Sequence, residues 1–341
     1  MPRWRKPLLN FLTTADDRTG ALEVAGTIAD EGFSVTAGSE ITGGDCLVVD
    51  LRTRHASAAA AAQSVRNVHQ TAARARCHKI DSVLRGNWPH EVKALVDMGF
   101  AIDVVPSFPD AGRRCRRGVV YVNDVPVAES SSAGDPLNPI KSSRPMELLR
   151  AAGCADRDVR VIDANDNNEL AQAAQRCRTE GRMLVGPSGA IQAYAATFGR
   201  PRSPQKFLLE PPVLIVCGSL HPTSRSQIRH LHCPTYTLDE KFQISDRLCV
   251  LTTTEPTKTP DLNTAWATAK ALASRSKSAA SVGTLFVIGG DTAAAILGNE
   301  PVEVLGNLQT AIPVAHRNGQ LLVTKGGGIG KPDTLLDLLS A

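Results

Sequence analysis

Asp16 and Asp17 are adjacent carboxylates within the polar turn Thr13-Thr14-Ala15-Asp16-Asp17-Arg18-Thr19-Gly20. A carboxylate in such a place can orient or deprotonate a hydroxyl. Adjacent side chains on an extended turn point apart, so one can cap a helix while the other faces a substrate. The residues alone leave open which does which, and they equally allow an N-cap with a solvated acidic turn. A second polar stretch, His78 to Asn87, mixes both signs of charge. Lys79 and Arg85 can hold a carboxylate there, while Ser82 and Asn87, beside Gly86, can bond hydroxyls. The plainer alternative is a capped helix start with a surface salt bridge. The basic run Gly112-Arg113-Arg114-Cys115-Arg116-Arg117-Gly118 reads as a solvated loop, a nucleic-acid contact, or a clamp for phosphate or carboxylate.

Three further stretches point to phosphate. Gly218-Ser219, Gly289-Gly290-Asp291-Thr292 and Lys325-Gly326-Gly327-Gly328-Ile329-Gly330 each follow an apolar run and precede a helical pattern. Small residues let the backbone approach phosphate oxygens, and helix N–H groups complete the cradle. Three such turns close together favour a phosphate-rich nucleotide over tight packing alone. None matches the P-loop or the dinucleotide fingerprint.

The elements that must position these residues alternate short apolar runs with helical stretches. Leu8, Leu9, Phe11 and Leu12 predict a strand, and Ala21, Leu22, Ala25, Ile28 and Ala29 a helix starting near Thr19. Residues 46–50 form a strand ending on Asp50, and an alanine-rich helix is expected over about Ser57 to Arg76. Strands follow at 101–105, 119–122, 159–162 and 183–185, with a helix at 169–178 and a long loop at 129–145. Residues 199–212 carry four prolines and end the first domain, and 199–205 read as a linker or hinge. Strands at 213–217, 284–288 and 321–324 then support the three glycine turns. The expectation is α/β, with two domains (1–205 and 206–341), each a largely parallel sheet flanked by helices, and the active site in the interdomain cleft.

Composition narrows the function. The chain has 341 residues, 42% hydrophobic and 21% charged, as in ordinary globular enzymes. Its net charge of +4 suits an anionic small substrate, and 4% aromatic residues argue against a base-stacking platform, so no nucleic-acid partner is expected. No apolar run reaches the roughly 20 residues of a membrane span. The basic N-terminus lacks a secretory core, so no membrane and a cytoplasmic location are expected. The cysteines are scattered without a Cys-x-x-Cys pair. His230-Leu231-His232-Cys233 finds no second cluster, so no metal-cysteine site is expected.

These motifs bring a family into view. Ala15-Asp16-Asp17-Arg18-Thr19-Gly20-Ala21 resembles the Ala-Asp-Asp-Leu-Thr-Gly-Ala signature of the four-carbon acid sugar kinases. Lys79 to Asn87 resembles their Lys-x-Asp-Ser-Thr-Leu-Arg-Gly-Asn motif. Pro106-Ser107-Phe108-Pro109 with Gly112-Arg113, Val122 to Pro126, Asp135 to Pro139, Gly289 to Ala293 and Lys325-Gly326-Gly327 follow in the family's order. Arg18, Glu23 and Val83 depart from a usual leucine, aspartate and threonine. His221 stands where a phosphate-contacting serine is usual.

The resemblance implies an ATP-dependent kinase that phosphorylates a hydroxyl of threonate, erythronate or 3-oxo-tetronate. The first domain would bind the sugar acid and the second ATP with Mg²⁺. Asp17 or Asp16 would act on the hydroxyl. Lys79, Arg85 and Arg113 would hold the carboxylate, with Ser82, Gly86 and Asn87 around the hydroxyls. Ser219, His221, Gly289, Gly290, Asp291, Thr292, Gly326, Gly327 and Gly328 would meet the nucleotide. A homodimer is left open, and a non-catalytic sugar-acid or nucleotide sensor on the same fold is the alternative.

Overall fold

The structure, a computed structural model, describes residues 8–42, 44–134, 139–200, 206–241, 243–244, 247–256, 260–277 and 282–340. The motif at 135–138, the linker core at 201–205 and part of the serine-rich patch at 274–281 lie outside the described residues. The chain is an α/β protein that divides into two compact units, Met1–Ser203 and Pro204–Ala341.

The first unit runs β1 (Leu9–Ala15), α1 (Arg18–Asp30), β2 (Val35–Gly38), β3 (Cys46–Asp50), α2 (Ala58–His69), β4 (Ala73–Lys79), α3 (Trp88–Asp97) and β5 (Ile102–Val104). It continues with β6 (Arg113–Arg116), β7 (Val119–Val122), β8 (Val125–Pro126), α4 (Pro145–Ala151), β9 (Val159–Val161), α5 (Asn167–Thr179), β10 (Met183–Gly186) and α6 (Ser188–Ala196). Its main sheet has the order β2-β3-β1-β4-β10-β5-β9, every pair parallel. β1 is therefore central, and its apolar run is buried on both faces, as parallel sheets covered by helices require. Phe11 anchors it through edge-on contacts with Phe33, Tyr194 and Phe198. β6, β7 and β8 form a separate antiparallel meander.

One predicted element is corrected. The alanine-rich helix ends at His69, and residues 73–79 form β4. Alanine is the strongest helix former, which draws the reading past the break. Beyond Gln70-Thr71-Ala72, however, small Ala75 and Cys77 are buried in a strand paired with β1 and β10. Lys79 thus sits at a strand end.

The second unit runs β11 (Val213–Cys217), α7 (Pro222–Arg229), β12 (Thr235–Tyr236), β13 (Leu248–Thr252), α8 (Leu262–Ser276) and β14 (Thr284–Ile288). It ends with α9 (Gly290–Leu297), β15 (Val302–Gln309), β16 (Ile312–Arg317), β17 (Gln320–Lys325) and α10 (Thr334–Ser340). β12-β13-β11-β14-β17 are parallel, and β16 and β15 extend the order as antiparallel strands. The Asn318-Gly319 turn, both residues at positive φ, joins β16 to β17. Among the described residues, no helix is long and apolar enough to cross a membrane, and all eight cysteines are free.

Candidate active site

Strand register gathers the first group of charges. Ala15, at the end of β1, lies opposite Asp50 of β3 on one side and Lys79 of β4 on the other. Whatever follows these strands meets at one carboxyl edge, where open α/β sheets place their ligands. Asp16 and Asp17 follow β1, Arg52 to Arg54 follow β3, and Asp81 to Asn87 follow β4.

Arg54 ties the group together. Its Nε and Nη2 donate to the Asp16 carboxylate at 2.8 and 3.0 Å, a bidentate pair. Its Nη1 pairs with Asp17 Oδ2, and its Nη2 lies 3.6 Å from Asp81 Oδ1. Sequence reading missed Arg54. The available signal was a cation four residues past a strand that ends on Asp50, beside the Asp16 turn in the sheet.

The geometry divides the carboxylate pair. The Asp16 side chain is 1% exposed and that of Asp17 24%. Asp17 caps α1, its Oδ1 accepting from Gly20 N–H at 2.6 Å, yet it is also the member that reaches solvent. Asp17 therefore combines the capping position and the solvent-facing position that the turn could have split between two residues. Burial pushes the Asp16 carboxyl upward against the pull of Arg54. For Asp17, burial acts the same way, but Arg54 and Lys79 outweigh it and hold the group below the usual carboxylate range. Burial would lower the Lys79 ammonium, but Asp17, Asp16 and Glu23 outweigh that and raise it. Gly20 leaves the room: a Cβ there would collide with Lys79 Nζ.

The other predicted residues take distinct places. Arg85 grips Asp81 through Nε and Nη2, both at 2.9 Å, and Asp81 also accepts the backbone N–H groups of Val83 and Arg85. Against the opposing effect of burial, Arg85 and Arg54 hold Asp81 far below the usual carboxylate range. Ser82 is half-buried on the same turn, and Gly86, at φ +87°, lets that turn pass the Asp16 carboxylate. Asn87 donates its Nδ2 to Thr53 and Ala56 carbonyls at 2.7 and 2.8 Å, latching the Arg54 loop.

The basic run is the β6–β7 hairpin, and strand alternation sorts its arginines. Arg116 pairs with Asp124 and covers Tyr121. Arg113 faces the charges of Asp81 and Glu23, its Nη1 donates to Ala111 O, and its buried Nε has no hydrogen-bond partner among the described residues. A buried donor left open in this way suits an incoming anion.

In the second unit, Cys217 lies opposite both Ile288 and Thr252, and Ile288 opposite Lys325. The three glycine turns therefore leave one carboxyl edge together. Gly289, at φ +113°, precedes α9. A Cβ on Gly327 would collide with Ser219 Oγ, and one on Gly328 would lie 3.2 Å from His221 Nε2. His221 caps α7, its Nδ1 accepting from Thr223 N–H at 3.2 Å. Lys325 is 1% exposed and donates to Gly326 O and Ile329 O, both at 3.0 Å, while burial lowers its ammonium to about 8. A pocket opens beside these turns. Leu238, Pro256 and Ala265 give it apolar walls, and Thr253, Asp291 and Thr292 give it polar groups. Gly326 to Gly328, Gly289 and Gly290 stand on the same edge. Among the described residues no cluster of three His, Cys, Asp or Glu side chains could hold a metal unaided.

A family described as the sugar-binding N-terminal domain matches residues 11–185, just over half of the chain. A D-threonate kinase of Bordetella bronchiseptica is 30% identical over 249 residues, 62% of this chain and 60% of the relative. The chain thus spans about three fifths of that protein. A D-threonate kinase of Salmonella typhimurium is 26% identical over 97% of this chain and 98% of its own length. A 3-oxo-tetronate kinase of Burkholderia multivorans is 33% identical over 42% of this chain and 37% of its own. Among solved structures, a Salmonella typhimurium LT2 protein described as a putative tRNA synthase has a TM-score of 0.77 at 18% identity, over 96% of this chain and 98% of that one. At that identity the likeness bears on fold alone.

Proposed function

This chain belongs to the family of the sugar-binding N-terminal domain, and on that premise we propose that it is an ATP-dependent kinase of a four-carbon sugar acid. Threonate, erythronate and 3-oxo-tetronate are the candidate substrates. The observation that carries the reading is the Arg54-centred carboxylate cluster with Lys79 at the sheet edge. An ordered charge network of this kind is built to position a small polyhydroxy anion.

Phosphoryl transfer depends on positioning and charge neutralisation more than on a strong base. Asp17, held ionised, accepts a hydrogen bond from the substrate hydroxyl and aims its oxygen. Lys79 and the open Nε of Arg113 receive the substrate carboxylate, with Arg85 and Ser82 at its margin. Asp16 and Asn87 hold the machinery rather than the ligand. In the second unit, Ser219, His221, Gly289 to Thr292 and Gly326 to Gly328 offer backbone N–H groups and small hydroxyls to the ATP phosphates, and the adjoining pocket takes the nucleoside. Mg²⁺ fits these residues, because magnesium on a nucleotide needs only one or two carboxylates beyond the phosphates, and Asp291 lines the pocket. Bound there, the ion would neutralise phosphate charge. A calorimetric titration tests the assignment. ATP and a four-carbon acid should each bind, and no affinity for any adenine nucleotide would overturn it.

A further inference from the structure

Behind the first unit's carboxyl edge runs a buried hydrogen-bond chain that the proposed reaction does not use. His69 of α2 places Nε2 2.9 Å from Thr14 Oγ1 in β1. The same hydroxyl meets His78 Nδ1 of β4 at 2.9 Å. His78 Nε2 lies 3.1 Å from Glu91 Oε2 of α3, and Glu91 Oε1 accepts the Thr53 hydroxyl. All five residues are buried.

The chain has a direction. Glu91 can only accept when ionised, so both Thr53 Oγ1–H and His78 Nε2–H donate to it. With His78 neutral, its Nδ1 accepts from Thr14, whose oxygen then accepts from His69 Nε2–H. Burial lowers the His69 imidazole to about 3, which keeps that ring neutral. The only group left over is the His69 Nδ1 lone pair, and that atom has no partner among the described residues. A doubly protonated His78 would leave either a buried His69 N–H or the Thr14 O–H without an acceptor, the costlier orphan. Every donor thus points toward Glu91.

Five buried polar groups add little net stability over well-packed apolar ones of the same shape. A fully satisfied network does, however, fix one arrangement. What it fixes here is the loop after β3. Thr53 N–H and Arg54 N–H both donate to Asp16 O, at 2.9 and 3.2 Å. We propose that the chain His69–Thr14–His78–Glu91–Thr53 is a positioning device that holds Arg54 onto Asp16 and Asp17. Its consequence for turnover rests on the kinase reading above; its consequence for Arg54 does not.

Thr53→Val removes the hydroxyl at nearly constant shape, and Thr53→Ser restores it. Two readouts follow. In steady-state kinetics with the best four-carbon acid, Thr53→Val should lower kcat/KM by about ten- to a hundred-fold, as a misplacement near 1 Å does. Thr53→Ser should stay close to wild type. Leu149→Ala, a cavity on α4, which carries no member of the chain, should lower stability but leave kcat/KM in place. In NMR, which needs no substrate, the Arg54 Nε–H bound to Asp16 at 2.8 Å should give an exchange-protected signal that Thr53→Val loses and Thr53→Ser keeps. Glu91→Gln, which replaces one acceptor by a donor, should act like Thr53→Val and serves if that variant does not fold. A folded Thr53→Val or Glu91→Gln protein that keeps the signal overturns the proposal, as does a Thr53→Ser protein as impaired as Thr53→Val. Loss of the signal with unchanged kcat/KM overturns the consequence for turnover. Should the wild type turn over no acid, the kinase reading fails and the NMR arm alone decides the positioning role.

Discussion

Arg54 meets three carboxylates at once, and Asp16, the one it grips with two nitrogens, has no exposure to share that charge with water. Removing one partner of such a pair leaves a buried uncompensated charge, so Arg54→Ala should cost about 3–5 kcal/mol in chemical unfolding. Asp17→Asn is a cleaner probe. Asparagine caps a helix as well as aspartate, so the α1 cap should hold, with the attraction to Arg54 and Lys79 weakened, while turnover falls by about two to four orders of magnitude. Unchanged turnover would move the hydroxyl-facing role elsewhere. Asp50 gives a prediction in pH. Burial raises its carboxyl to about 6 from 3.8. The native state then holds that proton more tightly than the unfolded state, so this residue's contribution is full below pH 4 and is lost as pH rises to 6, by roughly 3 kcal/mol at most. Unfolding of Asp50→Asn across that window should show its stability relative to wild type rising with pH, and a flat difference would refute it. At this scale strand–turn–helix spacing marked Asp16 and Asp17, while Lys79 and Arg85 stood out by their charge in a polar stretch whose preceding strand the local pattern hid. Arg54 was hidden because its meaning lies in β3 lying beside β1, which no local pattern records.

Elements were legible where their periodicity was strong and ambiguous where composition misled. β1, β11 and β14 read directly as apolar runs, and α1 begins one residue from its expected start. The β4 strand was absorbed into an alanine-rich helix, since its small residues carry no strand signature and only pairing with β1 and β10 reveals them. The arginine run looked like one feature. As the β6 strand it splits by alternation, sending Arg113 toward Asp81 and Arg116 toward Asp124. The β15 and β16 strands escaped the reading although Asn318-Gly319 is a hairpin signal. The glycine turns of the second unit yield the prediction proper to this scale. Gly327→Ala sets a methyl against Ser219 and forces the two loops apart. Affinity for ATP should fall by about ten-fold or more, the magnitude of roughly 1.4 kcal/mol. Affinity for the sugar acid should not change, and paired titrations of both ligands check this.

For the whole molecule, the anionic acid is proposed to bind the first unit and the nucleotide the second, so each ligand should stabilise the fold by mass action. At a hundred times its Kd, either should add about 2.7 kcal/mol, visible as a rise in Tm of several degrees. The central claim, however, is transfer between them. The most direct measurement is ADP release coupled to a spectrophotometric readout, with the purified full chain, ATP and Mg²⁺, against the threonates, erythronates and their 3-oxo acids. ADP should form stoichiometrically with one of these acids, not at all without acid, and far more slowly in Asp17→Asn. ATP binding with no ADP formed across the whole panel would contradict it.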